Sequence, residues 1–561
     1  MKMFLFPSCR QTRTALFATA VSFSLLFIQS GVAWSSQPTV QAHNAIQAEN
    51  QMPGTTAWQL VNPALNGELQ AYADADSIDR GGTFHLYVSA VPVSPNTTSP
   101  VRIDIYRLGY YSGLGGRLMK TVAAVPAESQ GHWSIPPDGK ASALPEDCPT
   151  CITTFKDSLG QETNIRDANW NETTTLTFLP DWISGIYLLK LTDIDTSLQW
   201  QVPLVVRDDA ASADIVFQDP VNTDQAYNAW GGTSLYQNYA HGPGGDGASY
   251  FDPLAVPTSA NSLPPRAYYA SWNRPFVRDA GAGHLFYWTY SMLRFFEEMG
   301  YDVAYTTNNA VASGATKLLH YKAFISAGHD EYWSQDERFQ LQTAIQHGVN
   351  VAFFGADSMY WQVRPVEDFH GRANRIIACY KQQPGMPVPQ DPDIAIGPLN
   401  VPVTTSLWRW APVSDPESDI LGVLYGGYLD TLSDYVVTNT QHWMYADSKL
   451  KDGDKIPSIL GYEVDFLQVY YQLHTGDTIV GDSPNALWRG NTAKAIIREF
   501  GFHGAPGYHL IFTAGTIFWP AGLTDFPSHW SARQIPPESQ PLRTITSNIL
   551  NRMIEQVGWR D

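Results

Sequence analysis

What the sequence has little of narrows the field first. Only four cysteines occur in 561 residues, Cys9, Cys148, Cys151 and Cys379, which excludes a disulfide-dense scaffold. Charged residues are 16% of the chain and basic ones are the minority, 35 Lys and Arg against 54 Asp and Glu. A formal charge of -19 disfavours the clustered cations that hold a phosphate backbone, so no nucleic acid is expected as a partner. Beyond the amino-terminal segment no apolar run approaches the ~20 residues of a membrane-spanning helix. The patterns H-E-x-x-H and G-x-S-x-G are absent, which removes the commonest zinc-protease and nucleophile-elbow signatures. His329-x-Glu331 has the spacing of zinc deaminases, but the C-x-x-C those need downstream lies upstream here. What is present is a globular composition, 44% hydrophobic and 13% aromatic, enough for about two to four domains at ~150 residues each.

The amino terminus reads as an address. Lys2, Arg10 and Arg13 precede the apolar core Ala15 to Phe27, and Gly31-Val32-Ala33 supplies small residues for cleavage. A signal peptide over 1–33 is therefore expected, giving an exported protein, periplasmic or extracellular, with no integral span after cleavage. In such a compartment Cys148-Pro-Thr-Cys151 is expected to close a small local disulfide, and Cys379, among Ile376, Ile377 and Tyr380, to be a buried strand residue. Residues 34–56, rich in Gln, Ser, Ala and Pro, read as a mobile linker.

Two folded regions are expected after it. Over 57–208, short alternating runs at Phe84 to Ala90, Val101 to Leu108, Ile186 to Leu191 and Trp200 to Val206 are separated by turn residues, the pattern of an all-β immunoglobulin-like sandwich. The Gly-rich stretch Tyr110 to Gly116 is followed by no P-loop Lys and reads as an aromatic hairpin. Over 209–561, strands alternate with helices. Ala213 to Phe217, Tyr301 to Tyr305, Ala323 to Ala327 and Val349 to Phe354 read as buried strands. Tyr287 to Met299 and a helix capped by Ser334 and stopped by Gly348 lie between them, and a last helix is expected over Arg543 to Val557. This order implies an α/β domain with a mostly parallel sheet and right-handed crossovers. Ligands of such sheets lie at the carboxyl ends of the strands, so the loops Gly328–Trp333 and Gly355–Arg364 become neighbours on one rim.

Those loops hold the chemistry. Gly328-His329-Asp330-Glu331-Tyr332-Trp333 offers an imidazole, two carboxylates and a phenol, Asp357-Ser358-Met359-Tyr360-Trp361 another phenol, and Gly461-Tyr462-Glu463-Val464-Asp465 further carboxylates. Two phenols and a carboxylate make an all-oxygen site that a hard trivalent cation favours. The plainer alternatives are aromatic core for the Tyr-Trp pairs and a helix cap for Asp330 or Ser334. A Ser hydrolase built on Ser358 with His329 or His442 is a further alternative.

The blocks Tyr227-Asn228-Ala229-Trp230-Gly231-Gly232, His284 to Trp288, Gly328 to Ser334, Met359 to Arg364, Gly461 to Asp465 and Phe512 to Thr516 resemble the large-subunit carboxyl domain of N,N-dimethylformamidase, over roughly residues 210–557. The resemblance implies a class I glutamine amidotransferase-like fold and a mononuclear iron (Fe3+), one per chain, that hydrolyses a small amide. It implies Tyr332, Tyr360 and Glu463 as metal ligands, with Tyr380 as the alternative to Tyr360. Glu331, His329 and Asp330 are the local groups for proton transfer, with His442 a distant one, and Trp230, Trp361 and Trp443 are candidate walls for an N-alkyl group. A homo-oligomer is compatible with it. The small subunit that the enzyme pairs with is not part of this sequence. The opposing class is a non-catalytic exported protein that binds a surface polysaccharide or protein partner.

Overall fold

The computed structural model describes residues 44–95, 97–134, 144–210, 212–236, 266–382, 390–429, 431–467, 473–484, 492–527 and 536–555. The expected signal peptide and the first part of the linker lie outside the described residues. Residues 44–56 are not free linker. They carry the helix Ala45–Asn50, whose Ile46 is buried and whose cap, Asn44, accepts from the Gln47 N–H. The side-chain amides of Asn44 and Gln47 donate to the Gly300 carbonyl at 3.0 and 2.9 Å. Gly300 ends the helix Thr289–Met299 in the left-handed region, and the open carbonyl there gives a polar, alanine-rich segment a place to dock.

Two sheets precede residue 208. Leu69–Ala73, Thr83–Ala90 and Thr174–Thr177 form one of three strands, and Ser77–Asp79, Ser99–Leu108, Gly116–Ala127, Gly185–Asp193 and Gln199–Arg207 form one of five. The four strands expected from alternation all fall within these ranges. Period-two residues from both sheets, among them Leu86, Val88, Val101, Ile103, Ile105 and Leu189, share one apolar core. Gly185–Asp193 is buried along its whole length because Leu189 and Leu191 face that core while Ile186 and Leu188 face the helix Thr289–Met299 and the next sheet. Cys148 and Cys151 form the expected disulfide.

The central sheet runs Val303–Thr307, Ile215–Asp219, Ala323–His329, Asn350–Ala356, His509–Thr513, Thr492–Phe500, Glu463–Phe466, Leu424–Tyr428, with Asp477–Pro484 added on Thr492–Phe500. The first five strands are parallel and the others pair antiparallel, so the sheet is mixed and not mostly parallel as expected. An antiparallel neighbour is reached through a short turn, as from Phe500 to His509, whereas a parallel one needs a crossover. The described chain is mostly β, with several sheets and few helices, and the strand–helix alternation expected of an amidotransferase-like domain extends only over the parallel half.

The expected helices lie where capping chemistry puts them. Gln335–Gln346 begins with a capping box in which Ser334 Oγ accepts from the Glu337 N–H and the Glu337 carboxylate accepts from the Ser334 N–H. Gln540–Ile554 starts three residues earlier than expected because Ser539 caps it and Pro541 fits its first turn. Residues 43–561 form one compact unit. A fully buried ion pair crosses its middle: Arg107 of Ser99–Leu108 donates through Nη1 and Nη2 to the two oxygens of Glu297 at 2.9 and 2.6 Å, and the Tyr305 hydroxyl adds a third bond at 2.9 Å.

Candidate functional site

Two glycines bring the rim loops together. Gly328 has a φ of +75, and a Cβ there would lie 2.2 Å from Trp288 Cβ; a Cβ on Gly355 would lie 2.2 Å from the Gly328 carbonyl oxygen. The strands Ala323–His329 and Asn350–Ala356 therefore pass closely with Gly328 opposite Gly355, and their continuations leave the sheet side by side. Asp357 and Met359 take left-handed backbone, turning the second loop so that the Met359 and Tyr360 N–H groups donate to the Asp330 and Glu331 carbonyls, each at 2.9 Å. The third segment is pinned to the second, because Asp465 Oδ1 accepts from the Asp357 N–H at 2.9 Å.

This arrangement converges four buried side chains. His329 Nε2 lies 2.9 Å from Glu463 Oε2, 3.4 Å from Glu331 Oε2 and 3.7 Å from Asp357 Oδ2. None of the four is more than 5% exposed. Ligand atoms of His329, Glu331 and Asp357 all lie within 4.8 Å of one another, a group that could hold a metal ion. Asp357 Oδ1 is buried without a hydrogen-bond partner among the described residues. An open carboxylate oxygen, and three carboxylates around one imidazole, are what a bound cation would satisfy.

The surroundings tune the cluster. The hydroxyls of Tyr227 and Tyr236 sit 2.8 and 2.7 Å from the two Glu331 oxygens, and 2.9 Å from each other. Burial pulls His329 toward its neutral form, but the charge of Glu463 and the bonds to Asp357 and Glu331 outweigh it and hold the imidazole well above its ordinary pKa. Burial and the charges of Glu331 and Glu463 push Asp357 far up. Glu331 is held low, since His329, Lys381 and Tyr236 overcome its burial. The Lys381 ammonium is buried 3.4 Å from the Tyr236 ring centre, 4.8 Å from Trp361 and 5.3 Å from Tyr332, and burial lowers its pKa to about 8 against the pull of Glu331.

Not every expected residue joins. Tyr332 and Glu463 are at the cluster. The Tyr360 ring packs 5.0 Å from Tyr425 and 5.1 Å from the Arg409 guanidinium, beside the cluster, with Asp357 and Glu331 close enough to add to its burial in raising its pKa. Tyr380 is turned away, donating to Asp157 at 2.7 Å. Asp330 also points elsewhere: it accepts from Ser326 at 2.8 Å, Gln218 at 2.9 Å and Asn308 at 3.1 Å, and Gln218 and Asn308 also hold Glu337 of the capping box. Its geometry is that of a bracket for the loop. His442 is with Glu499 and Trp443, and no contact joins it to Ser358 among the described residues. Trp230 is fully buried against Trp170, and only Trp361 of the three tryptophans borders the site. Sequence reasoning missed Lys381 and Tyr236, which belong to no motif, and passed over Tyr227, a member of a motif with no stated role.

The family model for the N,N-dimethylformamidase beta subunit-like, C-terminal region matches residues 102–532. The chain belongs to this family. The match begins inside the sandwich, at the strand Ser99–Leu108, and so takes in more of the chain than the resemblance read from residue 210 onward. No curated protein matches the chain. Among solved structures, the chain is similar to the CARDB domain of a Pyrococcus furiosus protein, in complex with di-metal ions, at 10% identity over 27% of this chain and 95% of that one with a TM-score of 0.12.

Proposed function

We propose that this family member is an exported, metal-dependent hydrolase of a small amide or related C–N bond, with its centre at His329, Glu331, Asp357 and Glu463. The observation that carries the reading is the convergence of three buried carboxylates on His329 Nε2, with Asp357 Oδ1 left open. These residues fit a hard cation. Glu463 and Tyr332 would hold it together with one or more of His329, Glu331 and Asp357, Tyr360 standing beside them. When bound, such an ion supplies Lewis acidity toward a carbonyl and toward water. Iron is the metal that the family resemblance suggests.

The chain's own groups do the rest. Tyr227 and Tyr236 fix both oxygens of Glu331, so its lone pairs keep one orientation toward His329. His329 Nε2 is the atom at which a proton is held and passed, among three carboxylates that stabilise its charged form. Lys381 places a fixed positive charge over the aromatic wall, where it favours charge developing on a carbonyl oxygen. Near-complete burial excludes bulk water and strengthens each of these interactions.

Elemental analysis and the visible spectrum of the purified protein test the reading. About one iron per chain with a tyrosinate-to-iron charge-transfer band, and hydrolysis of small N-alkyl amides, are expected. A colourless protein that stays metal-free and inactive after iron reconstitution overturns it and leaves the exported binding protein as the better reading.

A further inference from the structure

Away from that centre, the sandwich and the segments packed against it line a partly open cavity of about 40 Å³. Its walls are largely apolar, with Ala71, Val202 and Leu204 from the sandwich and Val221, Phe276 and Leu285 from across the interface. Arg274 lines it as well and is only 1% exposed. All its partners are neutral: Nε donates to Gln225 Oε1 at 3.2 Å and the Ser271 carbonyl at 3.1 Å, and Nη1 to the Trp230 and Thr233 carbonyls at 3.0 and 3.1 Å. Nη2 has no partner. The two other arginines buried as deeply, Arg107 and Arg338, face Glu297 and Asp415 at 2.6 and 3.0 Å. A buried guanidinium with no carboxylate in direct contact is costly, and burial, with the charge of Arg166, lowers the Arg274 pKa to about 9 against the pull of Asp167.

Two further open donors line the same cavity. Gln225 Oε1 is occupied by Arg274 and by Asn228 Nδ2 at 3.0 Å, leaving Gln225 Nε2 without an acceptor, and Trp272 Nε1 is likewise unbonded. A guanidinium, an amide nitrogen and an indole nitrogen can only donate, so the missing group must be rich in acceptors. Three carboxyl groups share the walls, Asp224, Asp219 and Asp76, the last accepting from Asn309 Nδ2 at 3.4 Å. Asp224 lies 3.1 Å from His284 Nδ1, Asp219 accepts from Thr289 at 3.0 Å, and burial raises both, with the charge of Asp224 adding to the rise at Asp219.

We propose that this cavity binds a small aliphatic carboxylate, its oxygens taken by Arg274, Gln225 and Trp272 and its hydrocarbon part by the apolar walls. A carboxylate supplies the counter-charge and about four lone-pair directions in one group, which Arg274 Nη2, Gln225 Nε2 and Trp272 Nε1 can share. The site is separate from the His329 cluster and does not depend on the hydrolase reading.

Isothermal titration of the purified protein with butyrate, and with 1-butanol as the uncharged control, tests it. One butyrate per chain is expected, with butanol bound at least tenfold more weakly, and at least tenfold loss for butyrate in Arg274→Gln. Arg274 also ties down four backbone and side-chain acceptors, so a second variant, Ala75→Leu, narrows the cavity from its partly exposed wall without touching the donors and is expected to weaken butyrate as well. If Arg274→Gln does not fold, Ala75→Leu and the butanol control decide. Glu463→Gln is expected to bind butyrate as the wild type does. Absence of butyrate binding, equal binding of butanol, wild-type affinity in both cavity variants, or loss of binding in Glu463→Gln each overturns the proposal.

Discussion

Two buried ionic clusters in one body are built on opposite plans. At the junction of sandwich and central sheet, one cation meets one anion: Arg107 and Glu297 bond through two nitrogens and two oxygens, and Tyr305 adds to Glu297. At the strand ends, one imidazole faces three carboxylates, and the second cation nearby, Lys381, rests over aromatic rings. Balanced charge with mutual bonds is architecture, because it repays its desolvation within the chain. Unbalanced charge is the plan of the proposed site, which something outside the chain would complete.

Arg107→Met leaves Glu297 buried and unpaired and is expected to cost about 3–5 kcal/mol in urea unfolding, while pairing it with Glu297→Leu restores most of that; a cost below ~1 kcal/mol in the single variant would remove the architectural reading. Glu463→Gln, at the other cluster, is expected to abolish metal content yet leave the metal-free protein within ~1 kcal/mol of wild type or more stable, since a repelling carboxylate is gone; a large destabilisation would make this cluster structural too. Tyr236→Phe takes one hydroxyl from Glu331 and is expected to weaken metal affinity about 10–100-fold, read by competition with a chelator. Asp330→Asn is expected to cost about 1–3 kcal/mol in thermal unfolding with metal content unchanged, because Asp330 braces the loop without facing the cluster.

The smallest effect is in acid. Glu499 is held at about 2 by bonds from His442, Tyr508 and Trp443, below the ~4.3 of an unfolded glutamate. A carboxylate whose folded pKa is depressed adds stability that is fully present above ~4.3 and is lost as pH falls toward about 2. Glu499→Gln is therefore expected to flatten the acid limb of the unfolding curve between those values and leave the limb above it unchanged.

Much of the frame was legible in the chain. Alternation placed the sandwich strands, the capping box at Ser334 and Glu337 placed a helix, and strand–helix order put His329 and Asp357 at neighbouring carboxyl ends. Other features were not. Residues 44–56 look like linker because they are polar and alanine-rich, and their partners, the Gly300 carbonyl, Arg117 and Glu297, come from distant segments. The antiparallel half of the central sheet was read as part of a mostly parallel one because strand periodicity does not encode pairing direction. Asp330 and Glu331 are adjacent in sequence and leave in different directions, one to Gln218 and Asn308, the other to Tyr227 and Tyr236.

The sequence by itself determined the family, the acidic balance, the positions of the strands and helices that carry local periodicity, and the loops that hold chemistry, because these depend on residues near one another in the chain. Tertiary structure decided which side chains in those loops share a centre, that Lys381 and Tyr236 belong to it, and that Arg274 is buried with no carboxylate in direct contact. Each of those depends on groups brought together from distant segments, where burial and charge are set by neighbours that no local pattern names.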